Sequence, residues 1–357
     1  MDRRKFITGT GVGALAVGLG SVSQVHAKDV IKWKMVTTWP KNFPGLGTGA
    51  NFLAKLINEM SGGRMEVKVY GAGELVPPFE VFDTVAKGSA EMGHGVSLYW
   101  KGKAAAAPFF AGIPFGLTAA EMNAWLYHGD GLKLWQDLYK PFGLIPEPAG
   151  NSGVQMAGWF NKEINSLNDI NGLKMRIPGI GGEVIRRAGG TPVNIPGGEI
   201  FSSLKSGNID ATEWIGPYND LAFGFHKAAK YYYYPGWQEP GSALEVLINE
   251  NAFKKLDKDL QIIVRQACRV SNDELTAEYT AKNASALRTL KEEHKVNVKK
   301  LPDDVLKKLR TISDEVVADL AKSDAASKKI LDSVVSFREE VKAWHDISER
   351  AYLNARA

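Results

Sequence analysis

Arg176 in LKMRIPG, Glu213 in NIDATEWIGPYND and Glu239 in YYYYPGWQEPG are the charged residues of this sequence best placed to do chemistry. Arg176 and Glu213 stand at the ends of strand-like runs just ahead of Pro or Gly, the point at which open α/β sheets present ligand-binding groups, and Glu239 sits among aromatics and turn residues. A guanidinium there can grip a carboxylate through two parallel hydrogen bonds, or close a structural ion pair with a neighbouring acid. Two carboxylates near a cleft can work as acid and base, hold a cation through hard oxygen ligands, or be solvated surface acids. Spacing leaves all of these open. Glu213 is the unusual one, a carboxylate beside a bulky indole just ahead of a Gly-Pro turn.

Other chemistries find little support. GLGTGA (45–50) follows a strand and opens a helix, yet the next strand ends in Tyr70 and Gly71, without the acid that a nicotinamide ribose requires. No GxSxG, HExxH, CxxC or P-loop occurs, and the six histidines show no metal-ligand spacing. His94 reads as a hydrogen-bonded structural histidine. Cys268, the single cysteine, reads as a buried inert thiol, so packing alone must hold the fold together.

The elements that would position these residues alternate along the chain. VIKWKMVTTW reads as a strand, and GTGANFLAKLINEM as a helix with Phe52, Leu53, Leu56 and Ile57 on one face. RMEVKVYG and AEMGHGVSLYW read as strands around the helical PPFEVFDTVAKG. Such alternation predicts a mainly parallel sheet flanked by helices. The pattern resumes near residue 151, giving a second α/β unit with no loose tether between the two, an arrangement suited to hinging about a cleft. From about residue 251 the chain is mostly helical, and Ile330, Val334, Phe337, Val341, Trp344 and Ile347 fall on one stripe. That stripe must pack on its own domain or on a second subunit.

The 357 residues are 44% hydrophobic and 24% charged, enough for two domains with a real core. Lys and Arg number 44 against 40 for Asp and Glu, too even a balance to imply nucleic acid as a partner. Residues 1–27 read as an export leader of the twin-arginine type, with Arg3 and Arg4 ahead of ITGTGVGALAVGLG and a small-residue cleavage site before Lys28. The mature protein is expected in the periplasm, without a membrane span.

The whole chain resembles the periplasmic substrate-binding receptors of tripartite ATP-independent periplasmic (TRAP) transporters, the DctP-like family. Within it, GELVPPFEVFDTV, MNAWLYHGDG, GNSGVQMAGWF, LKMRIPG, IDATEWIGPYND and YYYYPGWQEPG are similar to the branch that binds 2-oxo acids such as pyruvate. The resemblance implies a two-lobed α/β periplasmic binding protein fold with a cleft between the lobes. Residues 28–150 with about 241–278 would form lobe I, 151–240 with about 279–322 lobe II, and 323–357 a helical C-terminal extension.

It further implies a receptor that catalyses nothing. The receptor captures a small 2-oxo or 2-hydroxy monocarboxylate with a cation and delivers it to the TRAP permease in the membrane. Arg176 would form the salt bridge to the ligand. Gln155, Glu213, the Trp214 main chain and Glu239 would hold the cation, sodium ahead of calcium. Gln155 and the Trp214 ring would also meet the ligand, with Tyr99, Trp100, Asn151 and Phe43 as further contacts and Trp39 as the alternative to Phe43. Two glutamates and a monocarboxylate set three negative charges against one from Arg176, so calcium would neutralise the site and sodium would leave one charge over. Gln238 and Pro240 around Glu239 bear on pocket size, which leaves pyruvate, 2-oxobutyrate and lactate open. The rival readings are an enzyme using Glu213 and Glu239 as acid and base, a receptor for a larger organic acid, and a receptor that signals to a sensor. The C-terminal extension resembles one exchanged between subunits, which makes a homodimer an expectation.

Overall fold

In the computed structural model, which describes residues 29–356, the two β-rich stretches become two separate sheets. The leader expected over residues 1–27 lies outside the described residues. The first sheet begins with β1 (Ile31–Thr37), β2 (Met65–Tyr70), β3 (Met92–Gly95) and β4 (Leu144–Asn151). The chain then crosses to the second through β5 (Gly158–Phe160), β6 (Lys174–Arg176), β7 (Thr191–Val193), β8 (Ala211–Thr212) and β9 (Tyr231–Tyr234). It returns to the first as β10 (Ala243–Asn249) and, after the helix Lys258–Glu292, adds β11 (Asn297–Lys300) to the edge of the second. The strand orders are β2-β1-β3-β10-β4 and β11-β9-β5-β8-β6-β7, so three crossings join the two units.

The sheets are mixed where the alternation predicts mainly parallel pairing. β10 runs antiparallel to β3 and β4, and β5 runs antiparallel to β8 and β9. Both are strands that arrive from the other sheet, so no βαβ crossover obliges them to run parallel to their neighbours. Two further elements are shorter than expected. The strand in AEMGHGVSLYW stops at Gly95, and Ser97–Trp100 closes into a 3₁₀ turn; β8 spans only Ala211–Thr212, leaving Glu213 and Trp214 just beyond it.

Packing follows the apolar pattern. Every residue of β10 is buried, and Val246 and Ile248 share a core with Met35, Leu53, Ile57, Leu260, Val264 and Cys268. The Cys268 thiol is free, and burial pushes its pKa well up. The 35-residue helix Lys258–Glu292, about 50 Å long, braces both units. Close to its middle Asn272 accepts from the Gly150 amide of β4 at 3.1 Å, and two turns on the Tyr279 hydroxyl donates to Asn219 beyond β8 at 2.7 Å. Between the sheets a second core mixes Trp39, Phe43, Leu46 and Leu98 with Trp159, Trp214, Ile215 and Tyr232.

The C-terminal stripe divides. On the helix Ala325–Ile347, Ile330 and Val334 are buried against the chain, and Trp125 Nε1 donates to Ser333 at 3.1 Å. Trp344 and Ile347 are 63% and 75% exposed. No described helix is long and apolar enough to cross a membrane.

One glycine fixes the junction beneath the residues of interest. Gly158 has φ +124°, and a Cβ there would sit 2.2 Å from the Thr212 carbonyl oxygen, the last residue before Glu213. Gly158→Ala is therefore expected to destabilise the fold by about 2–4 kcal/mol. A urea midpoint equal to that of the unmodified protein would contradict this account of the β5–β8 junction.

Candidate functional site

Arg176 closes β6, paired in register with Val193 of β7 and Thr212 of β8, and Pro178 then ends the strand ahead of the helix Gly179–Arg187. β8 runs parallel beside it, so Glu213 emerges next to Arg176, its amide donating to the Arg176 carbonyl at 3.1 Å. The side chains meet as well. Arg176 Nη1 donates to the Glu213 carboxylate and to the Glu213 carbonyl at 3.3 Å. Nε donates to the Ile195 carbonyl at 3.3 Å, and Nη2 reaches the Tyr99 hydroxyl at 3.2 Å. Tyr99 belongs to the 3₁₀ turn of the first sheet's unit, so the guanidinium bridges the two units. Its carbon lies 5.1 Å from the Trp214 ring centre. Both members of the ion pair are 1% exposed.

Gln155 and Glu239 come from the two β-to-β crossings, which run side by side. The Gln155 amide donates to the Glu239 carbonyl at 3.3 Å, and Gly236 donates to the Gln155 carbonyl at 2.9 Å. Gln155 Nε2 donates to Glu239 Oε2 at 2.9 Å and to Ser152 Oγ at 3.1 Å. Gln155 Oε1 is buried and accepts no hydrogen bond from the described residues.

Arg176, Tyr99, Gln155, Glu213, Trp214 and Glu239 line one cavity of about 310 Å³, walled by Trp39, Leu46, Leu98, Ile215 and Leu244. Three other expected contacts lie outside its lining. Trp100 turns its indole N–H to the buried carboxylate of Glu245. Asn151 donates to the Gly241 carbonyl at 3.2 Å and accepts from the Gly153 amide at 2.9 Å, tying the crossings together. Phe43 stacks on Phe223 at 4.2 Å and meets the Trp214 ring edge-on from behind. Trp39 takes the place on the wall, held by a 2.7 Å hydrogen bond from Nε1 to His94 Nδ1. Burial pushes His94 down to about 4, so it is a neutral structural acceptor. Ser242 also lines the cavity; a serine in a Pro-Gly-Ser turn gives no signal of that in the sequence.

The electrostatics are those of charge sealed from water. Burial raises Glu213 well above the usual carboxylate range; Glu239 and Asp220 add to this, and the Arg176 guanidinium opposes it. Burial likewise raises Glu239, against hydrogen bonds from Ser242 and Gln155 and the charge of Arg176. Burial works against the Arg176 charge too, but Tyr99, Glu213 and Glu239 outweigh it, and the net shift is upward. The donor set suits a hard cation. Two carboxylates and an unpartnered amide oxygen face one cavity, and no His or Cys lines it. No cluster of three or more His, Cys, Asp or Glu occurs among the described residues, so any cation here would need amide or main-chain oxygens as well.

Residues 35–324 match the family model described as bacterial extracellular solute-binding protein, family 7, DctP. A monocarboxylate 2-oxoacid-binding periplasmic protein of Nostoc sp. is 41% identical over 362 residues, covering 99% of this chain and 98% of that protein. The crystal structure of a TRAP periplasmic solute-binding protein from Pseudoalteromonas atlantica, with bound sodium and pyruvate, is 41% identical and superposes with a TM-score of 0.89 over 91% of this chain and 99% of its own. A TRAP solute-binding protein from Bordetella bronchiseptica, a mixed-occupancy dimer with copurified calcium and picolinate in its active site, is 37% identical with a TM-score of 0.90 over 92% and 97% of the two chains.

Glu245, which holds Trp100 off the cavity, offers a pH test. Burial pushes it from an ordinary 4.5 up to about 8, against hydrogen bonds from Trp100 and Tyr139. A carboxyl raised in the folded state contributes stability that is full below about pH 4.5 and lost as pH rises through about 8. Glu245→Gln is expected to flatten the fall of the denaturation midpoint between pH 5 and 9, leaving the slope due to the other carboxyls raised by burial, Glu147 and Asp220 at about 7 and Glu213 and Glu239 with them. An identical slope in both proteins would show that Glu245 is not held protonated.

Proposed function

This chain belongs to bacterial extracellular solute-binding protein family 7, and from that premise we propose that its cavity captures a small 2-oxo or 2-hydroxy monocarboxylate, pyruvate foremost, together with a cation. It is a solute receptor of the TRAP class, which works with permease subunits in the membrane. The observation that carries the ligand reading is the combination in one small cavity of a buried arginine, two buried carboxylates and an amide oxygen without a partner.

In this reading Gln155, Glu213, Glu239 and the Trp214 main chain hold the cation, with sodium as the resident ion. Relatives named with sodium and with calcium support the class of ion equally. When bound, the cation would supply a positive charge that favours a ligand carrying a second oxygen beside its carboxylate. Arg176 and Tyr99 orient the carboxylate. Trp39 and Trp214 exclude water, and aromatic and aliphatic walls with a single arginine fit a small monocarboxylate better than a sugar acid. The two lobes, 28–150 with about 241–278 and 151–240 with about 279–322, close over the ligand and bury the charges. The export leader read in the sequence supports the periplasm as its place. The acid-base reading of Glu213 and Glu239 predicts turnover, whereas a receptor returns its ligand unchanged.

Calorimetric titration of the metal-stripped mature protein is the test. Pyruvate, lactate and 2-oxobutyrate are expected to bind only when sodium or calcium is present, with acetate and succinate far weaker and no new species in the NMR spectrum of recovered pyruvate. Arg176→Ala is expected to lose about 2–5 kcal/mol of pyruvate affinity and, by leaving Glu213 buried without its partner, about 3–5 kcal/mol of stability. Pyruvate affinity undiminished in this variant would sink the assignment.

The exposed end of the C-terminal stripe supports a homodimer as a second part of the proposal. Trp344, Ile347, Tyr352 and Leu353 are all exposed on the last two helices, and a second copy of this chain would cover them. Light scattering is expected to give a dimer mass for the unmodified protein and a monomer mass for the Trp344→Asp/Ile347→Asp double variant; a monomer in both would remove the dimer.

A further inference from the structure

The turn that carries Glu213 and Trp214 is held at several points. Thr212 Oγ1 donates to the Glu213 carbonyl at 2.8 Å, the Glu213 amide is tied to Arg176, and Met156, next to Gln155, donates to the Ile215 carbonyl at 2.9 Å. The remaining hold comes from behind, from Asp220 on the short helix Pro217–Phe223. Its side chain turns back along the chain, and Oδ1 accepts from the Ile215 amide at 3.4 Å. Oδ2 accepts from Trp159 Nε1 at 3.0 Å and from the Tyr232 hydroxyl at 2.7 Å. Trp159 of β5 and Tyr232 of β9 are directly opposite in the sheet and stack at 4.1 Å, so these two donors form a rigid platform. Asp220 is 1% exposed and does not line the cavity. A buried carboxylate with this many donors is satisfied where it stands, and moving it would leave an indole N–H, a phenol and a backbone amide unpaired.

We propose that Asp220 is the positioning residue of the cation site: it locks the turn from Glu213 to Ile215 onto the Trp159–Tyr232 platform, and so fixes how Glu213 and the Trp214 main chain are offered to a cation. The inference rests on the cation reading of the cavity given above. It also accounts for part of the YYYYPGW run, whose Tyr232 is a donor to the lock and no part of the ligand wall. Partners of a metal's own ligands orient those ligands, and their loss typically weakens metal affinity by about 10–100-fold.

Asp220→Asn keeps the shape and places an amide N–H among groups that already donate. In the full mature protein, titration of calcium chloride or sodium chloride at saturating pyruvate is expected to show a cation Kd raised about 10–100-fold. At saturating cation the pyruvate Kd should stay close to that of the unmodified protein, with an unchanged number of sites per chain. A purely structural role would reduce the number of competent sites and leave the cation Kd of the remainder alone; that result overturns the proposal, as does a cation Kd that does not move. Tyr232→Phe removes one donor while keeping the carboxylate, and serves where Asp220→Asn does not fold; a smaller shift of the cation Kd in the same direction is expected, and no shift overturns the proposal. The unmodified protein separates the two levels. Pyruvate binding without any cation would fell the cation reading itself, whereas cation-dependent binding shared equally by the unmodified protein and Asp220→Asn would fell only the role of Asp220.

Discussion

A guanidinium taken out of water must be neutralised where it stands, and the rest of this site is arranged around that need. Arg176 is 1% exposed, and four hydrogen-bonding atoms from three separate segments surround it. Two of these belong to Glu213, because β6 and β8 are parallel neighbours and release their next residues at the same edge. The third is a backbone carbonyl following β7, and the fourth is Tyr99 from the other unit. The surroundings of Arg176 therefore depend on strand order in the second sheet and on the approach of the first sheet's unit. A buried ion pair is weak evidence of stability in itself, since desolvation offsets much of the attraction. Its value lies in fixing two opposite charges at one end of a small closed volume.

The three chain crossings explain why the other polar groups converge on the same volume. Gln155 sits on the crossing from β4 to β5 and Glu239 on the crossing from β9 to β10, and each segment hydrogen-bonds the other through backbone and side chain. Asn151, at the start of one crossing, holds the Gly241 carbonyl of the other. Gln155 and Glu239 are thus held to each other by the paired crossings, while Tyr99 and Arg176 meet from opposite units. The long helix Lys258–Glu292 fastens to β4 through Asn272 and to Asn219 through Tyr279, and so ties the two units together.

Much of this is legible in the sequence, and the unevenness has physical reasons. Arg176 and Glu213 could be singled out because a Pro or Gly close by stops the local element and strand ends are where sheets display side chains, and Glu239 because it is an acid among aromatics and turn residues. Their convergence could not be read from spacing, since it depends on strand order and chain crossings across gaps of 37 residues from Arg176 to Glu213 and 26 from Glu213 to Glu239. Trp100, Asn151 and Phe43 show the limit. Each lies within four residues of a lining residue in sequence, but the local backbone sends their side chains to Glu245, Gly241 and Phe223 instead. The mixed pairing of the sheets escaped for a related reason: a strand arriving from the other unit carries the same apolar signature whichever way it runs. Asp220 is invisible as anything but a surface-like acid in GPYND until the fold puts Trp159 and Tyr232 over it.

The proposed ligand follows from the balance of charge that the fold imposes. With both glutamates ionised, Arg176 is matched by Glu213 and the Glu239 carboxylate leaves one uncompensated negative charge in the cavity, a state that burial disfavours. An anionic ligand entering that volume alone meets repulsion in a medium that screens it poorly. A cation entering alone meets attractive oxygens but an incomplete shell, since Gln155 and two glutamates offer fewer donors than a hard ion takes up. Each therefore lacks what the other brings, and the acid best suited to complete both is one with a second oxygen beside its carboxylate. A simple acetate fills the arginine's need and leaves the cation short; a dicarboxylate adds charge without a matching guanidinium among the residues that line the cavity. Selectivity for 2-substituted monocarboxylates then arises from the number of oxygens the ligand contributes, with the aromatic walls setting how long its tail can be.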